Sequence, residues 1–86
     1  MARRYVYFYL LKDDFDEVAD TISTHIEYWM NLELAEYAAG PFSDRSGGMV
    51  VFASDDMTQA QNIIKNDPFM KEGLINSKWI KEWVLE

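Results

Sequence analysis

The chain has 86 residues, 49% of them hydrophobic and 15% aromatic, which is too apolar for disorder and enough for one small core. It contains no cysteine, excluding disulfide staples, thiol nucleophiles and thiolate-held metals, and this is compatible with a reducing compartment. The net charge is −7 with the lysines and arginines scattered, so no electrostatic grip on nucleic-acid phosphates is expected, and the acidity is read as solubility.

Met1-Ala2-Arg3-Arg4 leads into the apolar run Tyr5 to Leu11, the outline of a weak signal peptide. Lys12-Asp13-Asp14 follows at once, and no small-residue cleavage site is present. No stretch approaches the roughly 20 apolar residues of a membrane span. A cytoplasmic protein that keeps clear of membranes is expected.

Val6, Phe8 and Leu10 alternate with Tyr5, Tyr7 and Tyr9, so residues 4–12 read as a strand that is apolar on both faces. Asp14 then opens a helix, with Glu17 placed for a capping box. Phe15, Val18, Ile22, Ile26 and Trp29 recur at helical spacing and form one stripe to about residue 31. His25 falls on the border of that stripe, beside Val18 and Trp29.

Residues 33–42 read as extended, closing on Gly40-Pro41-Phe42. Ser43 to Gly48 is dense in turn formers and reads as a hairpin loop before a strand from Met49 to Ala53. Ser54 or Asp55 caps a second helix whose buried face is Met57, Ala60, Ile63 and Ile64, and Asn66 ends it in a left-handed conformation. A short turn runs from Asp67-Pro68 to Gly73, and residues 75–85 form a last strand carrying Trp79, Ile80, Trp83 and Val84.

The order is β-α-β-β-α-β over residues 1–86, read as one domain. It predicts an α+β, ferredoxin-like fold: a four-stranded antiparallel sheet with two helices on one face. Two helices cover one side of the sheet only. The other side is also apolar, so a second copy of the same sheet is the expected cover, giving a homodimer or higher homo-oligomer. Tyr5, Tyr7, Tyr9, Trp79 and Trp83 are read as sheet and interface packing.

With one histidine and no phosphate-cradling glycine loop, neither a metal nor an organic cofactor is expected. No nucleophile motif surrounds the histidine. Arg45-Ser46-Gly47-Gly48-Met49-Val50-Val51-Phe52 partly matches the third-strand signature of RNA-recognition domains. The match fails where bases would stack, since Gly47 and Met49 stand at those positions, and no nucleic-acid partner is expected.

His25 at the edge of an apolar stripe has a plain structural reading as a half-buried packing residue. Asp67 has one too, as the N-cap of a short helix with Pro68 in its first position and Gly73 as its stop. Arg45 in the loop is read as solvated; the alternative is that it steers an anionic substrate, for which nothing local in the sequence argues.

His25, Ala39-Gly40-Pro41-Phe42, and Asp67-Pro68-Phe69 with Gly73-Leu74 together, in this order, resemble the YciI-like family from about residue 5 to Trp83. The resemblance implies a dimeric α+β barrel in the superfamily of muconolactone isomerase. It also implies an active site in which His25 lies near Asp67. A few relatives remove chloride from chlorinated hydroxyquinols. The stretch from His25 to Gly40-Pro41 is slightly shorter than the family pattern, which bears on the pocket floor. If the pair exists, Asp67 orients and charges the imidazole and His25 moves a proton, which suits isomerisation or elimination on a small aromatic or enol. The alternative is a non-catalytic module that holds a small aromatic ligand or serves as an accessory.

Overall fold

The tyrosines of the first strand all point one way, because side chains alternate across a strand, and this alternation sets the whole architecture. The protein is described by a computed structural model covering residues 2–86. Its elements run β1 (Arg3–Leu11), α1 (Phe15–Asn31), β2 (Ala38–Pro41), β3 (Gly47–Ser54), α2 (Met57–Lys65), α3 (Pro68–Lys71) and β4 (Ile75–Glu82). The four strands form one antiparallel sheet in the order β2-β3-β1-β4, with β1 and β3 at its centre. This is the expected ferredoxin-like arrangement, with α3 as one added turn. No helix among the described residues is long and apolar enough to cross a membrane.

Tyr5, Tyr7 and Tyr9 of β1 lie under the helices and are buried, facing Phe52, Val50 and Gly48 of β3 in register. They form the core with Trp29, Ala60, Ile64, Phe69 and Leu74. The three tyrosines are therefore core residues of this chain. On the opposite face Phe8 stacks on Trp79 with ring centroids 4.6 Å apart, and Trp79 and Met49 are exposed. Trp83 and Val84 lie beyond the end of β4 and are also exposed.

The local signals were met in part. Met57, Ala60, Ile63 and Ile64 face the core as expected. The cap of α2 is Asp56, one place later than Ser54 or Asp55, and its carboxylate accepts from the Gln59 amide at 2.8 Å. Gln59 in return accepts from the Asp55 amide and the Ser54 hydroxyl, a variant of the capping box in which the side chain reaches back to the residues just before the cap. The pair Asp14 and Glu17 does not make them: Asp14 precedes α1 without a side-chain cap bond. Asn66 ends α2 with φ −94°, not left-handed, because the chain continues straight into Asp67 and the next turn. Gly73, at φ +69°, supplies the stop after α3.

Two differences shape the site. The extended segment expected over residues 33–42 is cut to Ala38–Pro41, since Glu33 and Glu36 take positive φ and turn the chain. Gly47 and Gly48 belong to β3 and not to the hairpin loop, because only glycine fits against β1 there. A Cβ on Gly47 would collide with the Tyr9 carbonyl, and one on Gly48 would stand 2.6 Å from the Tyr9 hydroxyl.

The largest departure concerns α1. Of its predicted stripe only Trp29 is buried, while Phe15, Ile22 and Ile26 are exposed. The helix is pinned at its C-terminal end, and the rest of the stripe faces open space above β2 and β3.

Candidate active site

Asp67 begins α3 as its N-cap, and Pro68 in the first helical position needs no hydrogen bond for a backbone N–H it does not have. The Asp67 carboxylate is completely buried. One oxygen, Oδ1, accepts from the Phe69 backbone N–H at 2.9 Å, and the structural role foreseen for this residue is met. The same oxygen lies 2.8 Å from Nδ1 of His25. The other, Oδ2, accepts from the Trp29 indole Nε1–H at 3.0 Å. Three donors on one buried carboxylate satisfy it without any cation contributed by lysine or arginine.

His25 reaches this carboxylate because it sits four residues before Trp29, on the same side of α1. Its side chain is 12% exposed. One face of the imidazole stacks on Phe69 at 4.2 Å, and the Tyr9 ring meets its edge at 5.9 Å. With Nδ1–H donated to Asp67, Nε2 is left facing the Tyr9 hydroxyl at 3.3 Å. Burial first, and then the negative charge of Asp67, push the Tyr7 and Tyr9 hydroxyls far above their ordinary pKa near 10. Tyr9 therefore stays protonated at all ordinary pH values and donates towards Nε2. The same two causes raise Tyr28 and Tyr37.

His25, Tyr9 and Phe69 form one end of a cleft of about 370 Å³. Val18, Ile22, Ile26 and Met30 of α1 form one wall, and Ala39, Gly40 and Pro41 of β2 the other. Arg45 stands in the lining as well. The size suits a single small ring. Among the described residues no three His, Asp or Glu side chains come together as a metal site would need.

Sequence reasoning named His25 and Asp67, and the fold brings them into contact across 42 positions. It missed Trp29 and Tyr9 as polar participants. Both carry a polar tip on an apolar body, and a buried Trp or Tyr generally seeks a partner for that tip. The signal was present but did not say which partner.

Three comparisons bear on this geometry. The profile of the YCII-related domain matches residues 4–84. The fold is similar to that of the 5-chloro-2-hydroxyhydroquinone dehydrochlorinase TftG from Burkholderia phenoliruptrix AC1100, solved as a complex with 2,5-dihydroxybenzoquinone. The identity is 18%, the TM-score 0.82, and the match covers 94% of this chain and 93% of that one. It is also similar to a dimeric ferredoxin-like protein of unknown function from Thermobifida fusca, with 16% identity, a TM-score of 0.59, and 99% and 92% of the two chains covered. Comparison with curated proteins gives no match.

Proposed function

The chain belongs to the YCII-related domain family, and from that premise we propose that it catalyses proton transfer on a small aromatic or enol substrate without a cofactor. The reaction is an isomerisation or an elimination of the dehydrochlorination kind. The observation that carries this reading is the 2.8 Å contact between His25 Nδ1 and the buried Asp67, beside an apolar cleft that His25 lines.

Asp67 holds the imidazole in the tautomer that leaves Nε2 free of hydrogen, and stabilises the imidazolium that forms once Nε2 accepts a proton. Trp29 and the Phe69 amide fix the carboxylate in turn. A substrate hydroxyl seated by the Tyr9 hydroxyl gives its proton to Nε2. Its electron pair moves into the ring, and a ring carbon takes the proton. An isomerisation ends there. In an elimination that carbon is the one bearing the halide; a second ring hydroxyl then gives up its proton, and its electron pair moves through the ring to expel the halide with its bonding pair. What is left is a quinone, one proton and one halide ion. No electron is gained from or lost to an outside partner in either course.

The test uses 5-chloro-2-hydroxyhydroquinone and related chlorinated or enolisable rings. Turnover is expected in the parent and expected to fall at least about a hundredfold in His25→Gln, the usual range for a lost general base. Asp67→Asn is expected to lower it less, and a His25→Gln variant as active as the parent defeats the proposal.

The second reading, a non-catalytic ligand-binding or accessory module, is favoured by the Tyr9 hydroxyl, which already occupies the approach to Nε2. Under that reading His25→Gln alters ligand affinity, and no ring in the series is turned over.

We also propose that the chain is a homodimer joined through the uncovered sheet face, where Phe8, Trp79 and Met49 lie. Each partner is expected to bury at least about 800 Å². Light scattering at micromolar concentration that returns a monomer mass overturns this.

A further inference from the structure

Arg45 is the one lysine or arginine in the lining of the cleft, and the proposed function leaves it without a task. It occupies the hairpin between β2 and β3, with its backbone at φ +64° and its amide bonded to the Phe42 carbonyl at 2.9 Å. The neighbouring carboxylate does not neutralise it. Asp44 is turned onto Ser46, accepting from that residue's amide at 3.0 Å and its hydroxyl at 2.6 Å. Among the described residues no acid lies within ion-pairing distance of Arg45, whereas Arg3 and Arg4 are paired with Glu82 and Glu36.

The charge pattern of the cleft is the reverse of the chain's. The sequence carries 15 acidic residues against 8 basic ones. None of the acidic residues lines the cleft, and Arg45 does. Asp67 is close, but it is buried behind His25 and Phe69 and spent on three donors. The remaining wall is mostly aliphatic or aromatic, and Arg45, which is exposed and also borders a neighbouring hollow that holds Asp13 and Asp44, brings the one guanidinium to it.

Resting on the proton-transfer reading of the same cleft, we propose that Arg45 makes it an anion site, so that its ligands are single rings bearing an acidic oxygen. An enolate, a phenolate or a ring carboxylate has the required chemistry. The ring lies between Ile22, Ile26 and Pro41, the oxyanion meets the guanidinium, and the reacting end faces Tyr9 and His25. Arg45 is in this view a specificity residue, which selects the ionised ring and sets its direction.

The experiment is an amide NMR titration of the full chain with two anionic probes, benzoate and 2,5-dihydroxybenzoquinone, and two neutral ones, benzamide and hydroquinone. The anions are expected to bind about twofold to fivefold more tightly than the neutral rings, the size of an exposed charge contact. In Arg45→Gln that preference disappears while neutral-ring affinity stays, and in Arg45→Lys part of it returns. Anions preferred equally by parent and Arg45→Gln, or not preferred at all, overturn the assignment of Arg45 and leave the cleft reading standing. If none of the four probes perturbs the resonances of Tyr9, Ile22 or His25, both the anion site and the cleft reading fall.

Discussion

The two ends of α1 are built from the same apolar periodicity and meet opposite fates. At the C-terminal end Trp29 is 1% exposed and His25 is bound to Asp67, so the helix is locked onto α3. At the N-terminal end Phe15 is 77% exposed and Ile22 41%, and the same stripe lines the open cleft. Amphipathic spacing reports which side of a helix is apolar and says nothing of what will cover it. Here the polar knot at Asp67, the packing of Trp29 and the Tyr28 bond to the Ile63 carbonyl hold one end, and the unpacked remainder of the stripe becomes one wall of the cleft.

The largest blow to that contrast is Asp67→Ala. It strips the partner from the Trp29 indole, the Phe69 amide and the His25 imidazole at once, each a donor in a buried or nearly buried place. Loss of about 3 kcal/mol or more in urea unfolding is expected. A loss below about 1 kcal/mol would show that packing and not the carboxylate fastens the helix.

A smaller effect comes from alkali. Tyr7 and Tyr9 have hydroxyl pKa values raised in the folded state, by burial first and by Asp67 second. Below about pH 10 the tyrosines are protonated in both folded and unfolded chains, and their contribution to stability is fully present. Above about pH 10 the unfolded chain ionises while the folded one resists, so stability falls by up to about 1.4 kcal/mol per pH unit for each tyrosine. Tyrosinate absorbance from these two rings is expected to appear only together with unfolding, and Tyr9→Phe to lessen the alkaline slope. Ionisation of either ring in a chain that remains folded at pH 11 contradicts this.

The smallest effect is expected at the open end of the helix. Ile22→Ala removes a side chain that is already 41% exposed and inserts a better helix former, so stability should move by about 0.5 kcal/mol or less. Its consequence belongs to the cleft, as weaker binding of a ring probe. A destabilisation near that of a core Leu→Ala change would mean the cleft is closed in solution.

Much of this protein is legible in the chain itself. Period-two alternation over Tyr5 to Leu10, the face Met57, Ala60, Ile63 and Ile64, and the punctuation at Asp67-Pro68 and Gly73 are local properties, and they specify strands, helix and turn without outside help. The ordered motif set gave the family as well, and with it the expectation that His25 and Asp67 would meet. Tertiary structure alone decided the rest. Whether the stripe of α1 is buried depends on where β2 lies, and β2 was shortened by positive φ at Glu33 and Glu36. The presence of Gly47 and Gly48 in β3 follows from how close β1 passes, a distance between strands that no local pattern carries. Trp29 and Tyr9 became polar partners for the same reason: a hydrogen bond between residues 38 or 16 positions apart is fixed by packing, and the chain records only that each has a polar tip to satisfy.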